Sequence, residues 1–143
     1  MPPKPRRADL AAMLHPLLRE LVAAELPILA AHELSMWGYV VLEALDKSPV
    51  RTQAALAEAI GADKTRIIPT LDELQQSGYI ERRPDPDDRR VRLLEITPTG
   101  REVKNAVQSD IQRSEERWLA ELTAEERRVF LRALERLSRL GAQ

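Results

Sequence analysis

The stretch from Asp63 to Gly100, "DKTRIIPTLDELQQSGYIERRPDPDDRRVRLLEITPTG", changes its hydrophobic period midway. As far as Gly78 the apolar residues Ile67, Leu71 and Leu74 recur at spacings of four and three, which makes a helical stripe. Asp63 is placed to cap that helix and Gly78 to end it. Beyond Gly78 the period drops to two. "YIERR" and "VRLLEIT" read as short β segments, joined by "PDPDD", a proline and aspartate turn too long for a two-residue hairpin.

Upstream, Thr52 is a helix cap, Leu56 and Ile60 mark an inner face, and Gly61 stops the helix because only glycine takes positive φ without strain. Two short helices with a glycine turn between them read as helix-turn-helix. Downstream, Thr97 followed by Pro98 starts a long helix toward Leu119, with Val103, Val107, Ile111 and Trp118 as its seam. Thr123 with Glu126 forms a capping box for a last helix carrying Phe130, Leu131, Leu134, Leu137 and Leu140. At the other end, Leu10, Leu14, Leu17, Leu18, Leu21 and Val22 form a stripe interrupted by Pro16 and Pro27, which predicts a kinked helix ending near Pro27. A further helix is expected from Glu33 to about Leu45, capped by Ser35, with Trp37, Val41, Leu42 and Leu45 inward. The terminal helices carry more apolar surface than the small central module can cover, and dimerisation through the two ends of the chain is the natural outlet.

The chain has 143 residues, enough for one folding unit with a real core. With 31% charged and 43% hydrophobic residues it should fold rather than stay disordered. The formal net charge is −1, so any attraction to nucleic acid or anionic lipid must come from a local basic surface. There is no cysteine, which removes disulfides, thiolate metal sites, cysteine nucleophiles and thiol redox sensing. The opening "MPPKPRRADL" is basic and proline-rich, but Asp9, His15, Arg19 and Glu20 keep any long apolar run from forming at this end of the chain. It reads as neither a signal peptide nor a membrane span, and a cytoplasmic location with no membrane partner is expected. Residues 1–8 read as a disordered basic arm whose Lys4, Arg6 and Arg7 are within reach of a phosphate backbone.

A helix-turn-helix followed by a hairpin with an arginine-rich tip, held between terminal helices, resembles the MarR family of winged helix-turn-helix transcription regulators. The most specific part is Asp85-x-x-Asp88-x-Arg90 followed by "VRLLEITPTG" (Val91 to Gly100). Supporting matches are "LSMWGYVVLEAL" (Leu34 to Leu45), "LAEAIG" (Leu56 to Gly61), "DKT" (Asp63 to Thr65) and "LDELQQSGYIERR" (Leu71 to Arg83). The resemblance implies a mainly α (α+β) fold: a winged helix-turn-helix over residues 33–100, with residues 9–32 and 101–143 as the dimerisation helices of a single folding unit. It further implies a homodimer on a pseudo-palindromic double-stranded DNA operator. The helix carrying Lys64 to Gln76 would enter the major groove while the wing tip reaches an adjacent minor groove. Such proteins usually repress nearby genes and release DNA when a small, often aromatic or phenolic, ligand binds.

The candidate DNA-binding residues lie mainly on the recognition helix and the wing. With Ile67, Leu71 and Leu74 inward, Thr65, Arg66, Ile68, Pro69 and Thr70 lie on the exposed side of the recognition helix or its flanks. Arg66 suits guanine O6 and N7, Thr65 a base or phosphate, and Ile68 a thymine methyl. Lys64 suits phosphate at the helix N-terminus. Pro69 departs from the family, which often carries a polar or basic residue there, and predicts a local kink or an irregular first turn. Arg89, Arg90 and Arg92 sit at or beside the wing tip, Arg82 and Arg83 at its base, and Arg51 just before the helix starting at Thr52. An inserted guanidinium gains from the concentrated potential of a narrow minor groove. Arg90 matches the family's arginine. Asp85 and Asp88 are placed to accept backbone amides in the turn, and Asp88 to pair with Arg90 and orient it.

For a sensing site the candidates are His15, Leu18, His32, Met36, Trp37 and Val107, each also accounted for by packing or ordinary surface. His15 and His32 with Glu25 or Glu33 lack a tight metal-binding spacing, so no metal and no cofactor is expected. A winged-helix module that binds protein and not DNA is the competing function, supported by the overall acidic balance. An enzyme is set aside: there is no glycine-rich phosphate loop, no metal-spaced histidine cluster and no nucleophile motif.

Overall fold

A computed structural model describes residues 1–48 and 52–141. Its elements, in chain order, are α1 (Leu10–Ala31), α2 (Met36–Lys47), α3 (Gln53–Ile60), α4 (Lys64–Gln76), β1 (Ile80–Pro84), β2 (Arg92–Ile96), α5 (Pro98–Leu119) and α6 (Ala124–Leu140). β1 and β2 form an antiparallel hairpin in the register Ile80 opposite Ile96, Arg82 opposite Leu94 and Pro84 opposite Arg92. The architecture is the expected mainly helical winged helix-turn-helix with helices on both flanks.

The helix starts follow the short polar side chains. Ser35, Thr52, Asp63, Thr97 and Thr123 each accept an amide hydrogen bond from the first turn of the helix they precede, and Glu126 returns the bond to Thr123 in a capping box. Each such cap stabilises its helix by about 1 kcal/mol. Three helix ends use one closure, in which a left-handed residue lets the chain turn back on the last carbonyls. Gly61 (φ 69°) does this for α3 and Gly78 (φ 80°) for α4. Glu33 (φ 54°) does it for α1, where the Leu34 amide donates to the Leu29 carbonyl at 3.0 Å and both leucines are buried.

That closure corrects the expected end of the first helix. Pro27 lacks a donor but does not stop α1, which runs four residues further to Ala31. Burial of Leu29, with Ile28 packed against the core, retains the last turn, and the left-handed Glu33 supplies the stop. Trp37 is a second correction. It lies in the first turn of α2 and is 47% exposed, while Gly38 and Tyr39 beside it are buried.

The core centres on α2, which packs against α1, α3, α4, α5 and β2. Val41, Leu42 and Leu45 are fully buried with Leu56, Leu71, Leu94 and Val107, so every element from α2 to α5 except β1 places a side chain there, and β1 adds Ile80. Each fully buried side chain of this kind contributes about 1.5–3 kcal/mol. Two polar devices then fix α5. Asp46, in the last turn of α2, accepts from Arg101 Nε at 2.8 Å and pairs with the buried Lys104 Nζ at 2.6 Å. Thr97, at the end of the hairpin, donates its hydroxyl to the Gly78 carbonyl at 2.6 Å and its amide to the Tyr79 carbonyl at 3.0 Å. The same hydroxyl accepts the Gly100 amide at 3.0 Å. The approach is close enough that a Cβ on Gly100 would lie 2.1 Å from the Tyr79 carbonyl oxygen.

Gly100→Ala should therefore destabilise the protein by about 3 kcal/mol, since backbone and not a flexible side chain must yield. Gly61→Ala, in open space but at positive φ, should cost about 1 kcal/mol, and urea denaturation separates the two. Hydrogen bonds first from Lys104 and then from Arg101 hold the Asp46 carboxyl below its ordinary range. A carboxylate lowered in the folded state contributes stability above its unfolded pKa of about 4 and loses it as pH falls through the lower folded value. Asp46→Ala should cost about 3 kcal/mol at neutral pH by stranding Lys104, and its deficit against the parent chain should narrow below about pH 4.

Candidate nucleic-acid interface

The N-terminal half of α4 presents its polar residues outward. Ile67, Leu71 and Leu74 are buried, whereas Lys64, Thr65, Arg66, Ile68 and Pro69 are exposed and Thr70 is half-buried. Asp63 Oδ1 accepts both the Thr65 amide at 2.9 Å and the Thr65 hydroxyl at 2.8 Å. Those bonds hold its carboxyl below the usual range and commit the Thr65 proton. Pro69 does not break the helix, which stays α from Lys64 to Gln76. In the first turn the Asp63 carbonyl accepts from both Arg66 and Ile67, each at 3.1 Å.

The wing tip is shaped by its aspartates. The Asp85 amide donates to the Val91 carbonyl at 2.8 Å and the Val91 amide to the Asp88 carbonyl at 3.0 Å. The side chain of Asp85 accepts the Asp87 amide at 2.9 Å, and that of Asp88 accepts the Arg90 amide at 3.1 Å. Asp88 thus holds the backbone of Arg90 more closely than its guanidinium, whose Nε lies 3.8 Å away. The Arg90 side chain is 96% exposed, and Arg89 and Arg92 are exposed beside it.

The arginines at the base of the wing stand differently. Arg82 Nη1 binds Asp72 Oδ1 at 2.8 Å, with only 20% of its side chain exposed, and Arg83 pairs with Glu95 on the neighbouring strand. The strand period carries the signal, since counting by two from Ile80 puts Arg82 on the inward face and Arg83 on the outward one. Arg51 lies outside the described residues.

The ligand candidates do not all share one site, though His15 and Leu18 line one cleft on α1. Val107 is fully buried in the core and Met36 packs against it. His32 Nε2 is 2.8 Å from Asp110 Oδ2, fastening the end of α1 to α5. His15 and Leu18 sit on exposed faces of α1, while Trp37 lines a separate cleft with Arg66 and Asp63. Among the described residues no three metal-ligating side chains come together. Where α1, α2 and α5 meet, Tyr39 is pushed up to about 12, by burial first and then by the carboxylates of Glu43, Glu25 and Glu115, so this corner disfavours an anion.

Outside the wing unit the flanks leave apolar surface uncovered. α6 has no buried residue and exposes Val129, Leu131, Leu134, Leu137 and Leu140. α1 exposes Leu10, Met13, Leu14 and Leu18. A groove of about 350 Å³ runs between α1, α5 and α6, lined by Leu14, Leu18, Trp118, Phe130 and Leu134 among others. No single helix among the described residues is long and apolar enough to cross a membrane.

Comparison with known proteins adds an independent line. The profile of the MarR family matches residues 34–91. A Thauera aromatica protein, named as the candidate transcriptional regulatory protein for the hcr operon, is 30% identical over 105 residues, which cover 73% of this chain. The matched stretch spans 63% of that relative's own length. The crystal structure of MarR superposes with a TM-score of 0.84 at 28% identity, over 99% of this chain and 96% of that one. CouR, a transcriptional repressor solved bound to a 23-mer DNA duplex, superposes with a TM-score of 0.77 at 26% identity, over 91% and 92%. These relatives are regulators and not enzymes. From the hairpin returning to Gly78 to the helices on either flank, fold and likeness agree: the chain belongs to the MarR family of transcriptional regulators.

Proposed function

We propose that this protein is a sequence-specific DNA-binding repressor that acts as a homodimer on a pseudo-palindromic operator and is released by a small molecule. The observation that carries the reading is the pairing, in one packed unit, of an exposed N-terminal half of α4 with a wing tip whose Arg89, Arg90 and Arg92 are free of the core. α4 has the length and surface of a major-groove reader, with Arg66 and Ile68 toward base edges and Lys64 toward phosphate. The wing arginines suit a flanking minor groove. The likeness to CouR, itself bound to DNA, supports the same use.

The homodimer is supported by the uncovered apolar faces of α1 and α6, which a second copy of the same ends would bury. Release by a ligand rests on the family likeness and on the groove of about 350 Å³ that those same faces line between α1, α5 and α6, a volume in the range of small-molecule sites. Its aliphatic and aromatic lining suits an apolar or aromatic compound.

A mobility-shift titration against the DNA upstream of its own gene, with salt varied, tests the reading. Affinity should fall steeply as salt rises through counterion release, whereas a protein-binding module would give no shift. Arg90→Ala should weaken binding about tenfold and reduce the salt slope by about one. Asp88→Ala adds positive charge, which alone would tighten binding, yet loss of its bond to the Arg90 amide should weaken specific binding; tighter binding would show that the carboxylate is a bystander. Leu134→Arg, in the uncovered face of α6, should shift the protein toward monomer in light scattering, and an unchanged mass would place the dimer contact elsewhere.

A further inference from the structure

Arg82 holds an odd position for a residue of a cationic wing. Alternation along β1 sets it on the side of Ile80 and opposite Leu94, both buried, and only one-fifth of its side chain is exposed. Its Nη1 reaches Asp72 Oδ1 at 2.8 Å, while Nε and Nη2 are buried with no acceptor. A guanidinium meant for phosphate presents its donors to solvent, where they are satisfied by water until DNA arrives. This one leaves two donors unpaired in order to keep one bond.

The partner explains what that bond does. Asp72 is in the third turn of α4, four residues beyond Ile68 and seven beyond Thr65, on the face that carries the base-reading candidates. Among the described residues it makes the only ion pair joining α4 to the hairpin. The backbone closure at Gly78 and Tyr79 fixes where the wing leaves α4 but lies at one end of the helix. The Arg82–Asp72 pair adds a polar tie in an earlier turn, beside the apolar packing of Leu71 and Leu74 with Ile80 and Leu94.

We infer that Arg82 is a positioning residue: through Asp72 it sets the angle between the recognition helix and the wing, so that groove and flank are engaged together, and it does not itself contact DNA. The inference rests on the DNA-binding reading. It separates cleanly from its two rivals, a direct phosphate contact by Arg82 and a bystander Asp72 that merely repels DNA.

The test uses a duplex enriched from a random-sequence library by the parent chain, titrated at several salt concentrations with Arg82→Met, Asp72→Ala and the double variant. Met keeps the apolar stem and removes the two buried unpaired donors, so the fold should hold. Asp72→Ala alters a side chain that is 60% exposed and gives the same readout independently. Each single variant should bind about tenfold more weakly, and the double variant should be no weaker than either. Arg82→Met should keep the parent's salt slope, because no phosphate contact is lost. A slope lower by about one for Arg82→Met, tighter binding by Asp72→Ala, or additive losses in the double variant would each overturn the positioning role while leaving DNA binding intact. Failure of the parent chain to enrich any duplex would instead overturn the DNA-binding reading and the inference with it.

Discussion

The structure turns on the place where the hairpin closes. Thr97 ties the end of β2 to the Gly78 and Tyr79 carbonyls that end α4, and with the same hydroxyl starts α5. Gly100 is required there by contact and not by conformation, because its α carbon passes against the Tyr79 carbonyl oxygen. Three elements therefore meet at one junction: α4, the wing, and the helix that leads to the far end of the chain. Asp46 repeats the arrangement one turn later by holding Arg101 and Lys104 of α5 against α2. The start of α5 is thus joined directly both to the hairpin that closes on α4 and to the central helix α2.

The electrostatics of the wing show the same economy. With a net charge of −1 the chain cannot rely on a diffuse field, and its arginines must be presented one by one. The aspartates do not cancel them. Asp85 and Asp88 spend their oxygens on tip amides, giving the turn its shape, and so hold Arg90 outward as a backbone position more than as an ion pair. Toward the base the sign of the role reverses. Arg82 and Arg83 are engaged by carboxylates of the protein itself, and the free positive charge of the hairpin is concentrated at its end.

Much of this is legible in the sequence because it is local. The caps at Ser35, Thr52, Asp63, Thr97 and Thr123 and the stops at Gly61 and Gly78 depend on residues within a few positions of one another, and the structure has each of them. Features that the sequence does not disclose depend on contacts distant along the chain. Pro27 reads as a stop until Leu29 is seen to be buried and Glu33 left-handed. Trp37 reads as core by spacing, yet it lies on the exposed face of a turn whose Gly38 and Tyr39 are buried. Arg82 carries two signals that conflict: its charge points toward phosphate, while its place in the count of two from Ile80 points toward the core, and the core side prevails. The partners Asp46 with Lys104, His32 with Asp110 and Arg82 with Asp72 have no spacing signature at all.

Hydroxyl-radical footprinting on an enriched duplex, comparing the parent chain with Arg90→Ala, tests the central claim that α4 and the wing read DNA together in a two-fold assembly. The account predicts two symmetric protected patches about one helical turn apart or a multiple of it, with further protection in the flanking minor grooves that Arg90→Ala alone removes. A single unsymmetrical patch, or flanks that are equally protected without Arg90, would contradict it.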